Sequence, residues 1–76
     1  MKNYTVNLNY WVNGSGWSHG ETFDHISEAC TAEDYIRSLD CPLEPPVGCD
    51  DILVEIYDED GKCISEAWVS DVYGEQ

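Results

Sequence analysis

At 76 residues the chain sits near the lower size limit for a fold that stands alone, so residues 1–76 are read as one domain with a small core. Sixteen Asp and Glu against three Lys and Arg give a formal charge of −13, which repels phosphate polyanions and membrane headgroups and argues against direct nucleic-acid binding. A hydrophobic content of 42% argues against disorder, no apolar run is long enough to span a membrane, and Met1-Lys2-Asn3-Tyr4 opens without a secretory apolar stretch, so a cytoplasmic protein is expected.

In chain order, Tyr4, Val6, Leu8, Tyr10 and Val12 alternate with Thr5, Asn7, Asn9 and Trp11, the pattern of a half-buried strand. Asn13-Gly14-Ser15-Gly16 supplies turn residues that tolerate positive φ, and a second strand from Trp17 to about residue 27 completes a hairpin. Thr31 is placed to cap a helix whose first turn holds Glu33 and Asp34. Ala32, Tyr35, Ile36 and Leu39 form its apolar stripe, so the helix is expected from Thr31 to Leu39; a longer version starting near Ser27 would add Ala29 and Cys30. Pro42, Pro45, Pro46 and Gly48 make residues 40–49 a loop.

Ile52 to Tyr57 reads as a strand and Asp58-Glu59-Asp60-Gly61-Lys62 as a hairpin turn. Cys63 to Val72 reads as the last strand, with Ile64, Glu66, Trp68, Ser70 and Val72 on one face, and Gly74-Glu75-Gln76 is expected to fray. The order β-β-α-β-β predicts an α+β fold: a four-stranded antiparallel sheet with one helix packed on one face and the other face at least partly open. Tyr35, Ile36 and Leu39 are expected to pack on Val6, Leu8, Val54 and Ile56.

No catalytic residue, cofactor or metal is expected from the motifs. On a regular strand His19, Glu21 and His25 share a face, a row that suits a metal or proton transfer and equally a solvated polar surface. Ser15 and Ser18 have no triad partners, and Gly14-x-Gly16 is turn chemistry rather than a phosphate loop. Cys30, Cys41, Cys49 and Cys63 are separated by eleven, eight and fourteen positions, which fits no common zinc pattern. Without an export signal they are expected as reduced thiols; a disulfide, if present, would most simply join Cys41 to Cys49 across the proline loop. The acidic field disfavours thiolate, so buried, inert cysteines are expected.

The acids are unevenly placed: residues 1–20 hold none, whereas Glu21 to Asp60 hold thirteen beside a single base, Arg37. One reading is a solvated acidic surface. The sharper one is mimicry of nucleic acid, because same-face residues two apart on a strand stand about 6.5–7 Å apart, close to the spacing of successive phosphates. The candidate partner-binding residues are then Asp58, Glu59 and Asp60 in the turn, with Asp50 and Asp51 at the other end of the same strand and Trp11 and Trp68 as aromatic anchors on the open face. Further acids lie at Glu33, Asp34 and Asp40. The partner expected is a basic nucleic-acid-binding protein, met by a monomer or a homodimer, with no membrane contact.

The Tyr4–Val12 strand, the Thr31–Leu39 helix, the Ile52–Tyr57 and Cys63–Val72 hairpin and its acid-rich turn resemble, on a short acidic chain, the phage-encoded anti-CRISPR inhibitors. That resemblance implies a non-catalytic protein that binds a CRISPR effector complex where it receives DNA or guide RNA and blocks target recognition in the host-cell cytoplasm. Members of that group share no signature, so no residue role is carried over. Three other classes stay open: an acidic adaptor or antitoxin-like protein outside CRISPR systems, a small metal protein or enzyme using His19, Glu21 and His25, and a structural protein that dimerises through its open sheet face.

Overall fold

Alternation along the central strands decides the architecture. The computed structural model describes residues 3–12, 14 and 16–74, with the side chains of residues 17–19 outside that set. Its elements are β1 (Tyr4–Val12), β2 (Gly16–Ile26), α1 (Ala32–Ser38), β3 (Asp51–Tyr57), β4 (Cys63–Trp68) and α2 (Val69–Gly74). The strands form one sheet in the order β2-β1-β3-β4, every neighbouring pair antiparallel. The fold is α+β, as the sequence predicts. Asn13, Ser15, Glu75 and Gln76, assigned to the first turn and the frayed end, lie outside the described residues.

On β1 the side chains of Tyr4, Val6 and Leu8 are buried, and Ile52, Val54 and Ile56 of β3 meet them from the neighbouring strand. Ala32, Tyr35 and Ile36 of α1 close the same cluster, with Leu39 packed at its margin. Thr31 caps α1 as expected: its Oγ1 accepts from the Asp34 N–H at 3.1 Å, and Leu39 is the C-cap. The Ala32 N–H donates to Ser65 Oγ at 2.9 Å, which ties the start of the helix to β4. Arg37 and Glu33 pair at 3.1 Å, one turn apart on the exposed side.

Two expectations are corrected. The last strand ends at Trp68 rather than Val72, and Val69–Gly74 is a second short helix, so the order is β-β-α-β-β-α. Val69 and Val72, three positions apart, both enter the core from it, which a strand could not arrange because they would face opposite ways. The Asp51 carboxylate fixes the start of α2 by accepting from the Ser70 N–H at 3.1 Å and the Ser70 hydroxyl at 2.5 Å. The second correction concerns faces. Ile56 pairs with Ser65 but Tyr57 pairs with Cys63, so Ile64 is an inserted residue that leaves the row of Glu66 and Trp68. No helix among the described residues is long and apolar enough to cross a membrane.

Ile36 is 1% exposed and is among the largest fully buried side chains. Ile36→Ala should therefore cost about 2–4 kcal/mol in denaturant unfolding, as a core truncation does. Unchanged stability would mean that α1 does not close the core.

Candidate functional site: an acidic and aromatic sheet face

The face of the sheet opposite the core carries the other half of each alternation. From β1 come Asn7, Asn9 and Trp11; from β3, Asp51, Leu53, Glu55 and Tyr57; from β4, Cys63, Glu66 and Trp68. The register sets them in rows: Asn7, Glu55 and Glu66 side by side, then Asn9, Leu53 and Trp68. The Trp11 and Trp68 rings meet edge to face, centroids 6.2 Å apart at 78°. Leu53 lies opposite Trp68 and diagonal to Trp11, and it is buried although it belongs to the outer face. The two tryptophans singled out as anchors are thus brought together, and Leu53 joins them in a small apolar patch outside the main core.

The acidic candidates are not equivalent. Asp58 Oδ1 accepts from the N–H groups of Asp60 and Lys62, both at 2.9 Å, so this carboxylate builds the turn. Gly61 completes it with φ of 81°, a conformation glycine adopts without strain. Glu59 accepts from the Asn3 N–H at 3.1 Å, and Asp60 is exposed. At the other end Asp51 is held by Ser70 and by the Ile52 N–H at 2.8 Å, while Asp50 is exposed and bonds through its own N–H to the Trp11 carbonyl. Asp50 and Asp51 do not act as a pair: one is structural, the other a surface group.

Between these ends the structure places acids that sequence reasoning missed. Glu55 pairs with Glu66 across β3 and β4. Glu55 accepts a short hydrogen bond from Asn9 Nδ2 and is half-buried; Glu66 is exposed. Asp71, on the first turn of α2, lines a cavity with Trp11, Asp51 and Trp68. Glu55 was the one charge in the otherwise apolar run from Ile52 to Tyr57, and that was the available signal. Like charges facing each other across a ladder cost stability, so this pair is tolerated at the fold's expense.

The same acids act on their neighbours. Although Cys63 is exposed as a residue, its thiol is pushed up by partial desolvation against the sheet and then by Glu55 and Glu66, and the Tyr57 phenol by burial and then by its hydrogen bond to Glu55. Glu55, Cys63 and Glu66 bring one donor atom each within 4.8 Å of one another, the only such group among the described residues. A cation there would have to displace the thiol proton that this environment retains. Cys41 and Cys63 are exposed and Cys30 and Cys49 half-buried, all four as free thiols. The expectation of buried cysteines is corrected, because Cys41 sits in the proline loop and Cys63 opens an edge strand.

The row of His19, Glu21 and His25 is not formed. Asp24 pairs with Val6 and Thr22 with Asn7, so Phe23 is inserted and the strand changes parity. His25 then stands opposite Thr5 on the outer face, and Glu21 opposite Leu8 on the core side; the His19 side chain lies outside the described residues. Glu21 instead accepts from the Tyr10 hydroxyl at 2.6 Å. Asp24 accepts from the Tyr35 hydroxyl at 2.8 Å, which holds its carboxyl below the usual range.

No protein family, no curated protein and no solved structure matches this chain.

The Tyr10–Glu21 bond has a measurable consequence. Hydrogen bonding to Glu21, with burial adding to it, pushes the Tyr10 phenol from 10.0 up to about 12. A raised pKa favours the neutral phenol in the fold, so this contribution is complete below pH 10 and is lost as the pH rises through 12. Tyr10→Phe should lower stability by about 1 kcal/mol at neutral pH and remove one late phase from the tyrosinate absorbance titration. An unaltered titration curve would show that the bond is not formed.

Proposed function

We propose that this protein is a non-catalytic binding protein that occupies a basic, nucleic-acid-receiving surface of another protein and keeps nucleic acid from it. The observation that carries this reading is the outer face of the β3–β4 hairpin. There Glu55 and Glu66 lie between the acid-rich turn at one end and the Trp11, Leu53 and Trp68 patch at the other. Asp51 and Glu55 are same-face positions on β3, about 13 Å apart by strand rise, and the turn acids continue the line. Of the cations placed by the described residues, Arg37 is on α1 and Lys62 in the turn, so the centre of this track carries acids alone.

Such a surface divides the work of binding. Exposed carboxylates contribute little one by one, about 0–1 kcal/mol each, yet together they steer a basic partner and accelerate encounter. The tryptophans supply contact area that excludes water and anchors the complex. Inhibition of a CRISPR effector complex in the manner of anti-CRISPR proteins is the form of this function that the acidic charge, small size and open sheet favour. The cytoplasm is where such a target would be met.

The test is capture of partner proteins on the immobilised chain, with nuclease-treated extract, followed by elution with duplex DNA or RNA. The expected result is a basic nucleic-acid-binding protein released by nucleic acid at constant ionic strength. The paired change Glu66→Lys and Asp60→Lys should slow association and flatten its salt dependence; Asp51 and Asp58 are left intact because they hold the fold. A captured protein that nucleic acid does not displace, or binding indifferent to these reversals, would overturn the proposal.

A further inference from the structure

We infer that Trp11, Trp68 and Asp71 form a receptor for a single arginine side chain of the basic partner; the inference rests on the function proposed above and names the group recognised. The starting observation is the geometry of the two indoles. At 78° to one another and 6.2 Å between centroids, they form two adjoining walls rather than a stack. A cavity of about 370 Å³ opens beside them, lined by Trp11, Asp51, Trp68 and Asp71. Aromatic walls and carboxylates around one opening select for a cation with an apolar stem.

The two carboxylates differ in what they can offer. Asp51 accepts from the Ile52 and Ser70 N–H groups and from the Ser70 hydroxyl, so three of its acceptor positions are filled and the group is fixed. It contributes a stationary negative charge to the wall. Asp71 is exposed on the first turn of α2, and its carboxylate is not tied into the fold as that of Asp51 is. Its exposed carboxylate can accept from an incoming pair of N–H donors.

That combination favours guanidinium over ammonium. A guanidinium is planar, stacks on an indole face, is weakly hydrated, and presents parallel N–H donors that match a carboxylate. An ammonium is compact and strongly hydrated, so it gives up more on leaving water for an aromatic wall. Nucleic-acid-receiving surfaces carry arginines for phosphate recognition. An acidic chain that seats one of them on Trp68 would take a group the nucleic acid itself requires.

The isolated protein and a small probe test this directly. N-acetyl-arginine methylamide is titrated at near-physiological salt while the indole N–H resonances of Trp11 and Trp68 are followed by NMR, with the lysine and citrulline analogues as controls. Saturable shifts at both indoles with arginine, weaker binding with lysine and none with citrulline are expected. Asp71→Asn should weaken the arginine response about tenfold, and Trp68→Phe, which retains a ring in the patch, should weaken it less. Equal responses to arginine and lysine, or shifts confined to other acids with both indoles silent, would overturn the inference. Because the probe replaces the partner, silent indoles alongside intact, nucleic-acid-sensitive partner capture would remove the receptor alone. An arginine response without such capture would support the receptor and remove the wider function.

Discussion

One-sided burial is the constraint on which the rest of this structure depends. β1 and β3 place apolar side chains at alternate positions, and one face of the sheet buries Val6, Leu8, Val54 and Ile56 in one cluster with residues of both helices. With so few residues no helix among the described residues covers the other face, so apart from Leu53 the side chains at the remaining positions stay partly or wholly at the surface. Those positions hold Asn7, Asn9, Glu55, Glu66 and the two tryptophans. The acidic face is therefore the direct complement of the core, written in the same strands at the alternate residues.

The charge of −13 sharpens that constraint. Several acids are employed in holding the chain together: Asp51 on α2, Asp58 within its turn, Asp24 under Tyr35, Glu21 under Tyr10 and Glu33 beside Arg37. All but Glu33, which pairs with Arg37, find N–H or O–H donors rather than cations, because the chain has almost no cations to give. The remaining acids project their field outward. A partner that brings positive charge relieves repulsion within this protein as well as making contacts with it, which is the physical reason an acidic face of this kind favours a basic protein.

Much of the fold was legible in the alternation of β1, in the Thr31 cap and its i, i+3, i+4 stripe, and in the compact β3–β4 hairpin. What escaped is local in chain but long-range in cause. An inserted residue at Phe23 and another at Ile64 reverse which face the following side chains take, and a period-two pattern carries no mark of either. The pattern reads the chain through Val72 as strand although Val69, Val72 and Tyr73 have helical spacing, since the first turn of α2 depends on Asp51, nineteen positions before Ser70. At the site, the sequence marks Trp11 and Trp68 as aromatic anchors on the open face; their meeting follows from register across three strands. Glu55 and Glu66 each sit alone in sequence, and only the ladder makes them neighbours.

The central claim is that the outer sheet face, and not the helix side, meets the partner. Zero-length carbodiimide crosslinking of the complex, read by mass spectrometry, addresses it most directly, since it joins only carboxylates and amines already in contact. The account predicts links from Glu66 and the turn acids to lysines within the partner's nucleic-acid-binding site. Links confined to Glu33 and Asp34 of α1, with the β3–β4 face unreacted, would contradict it.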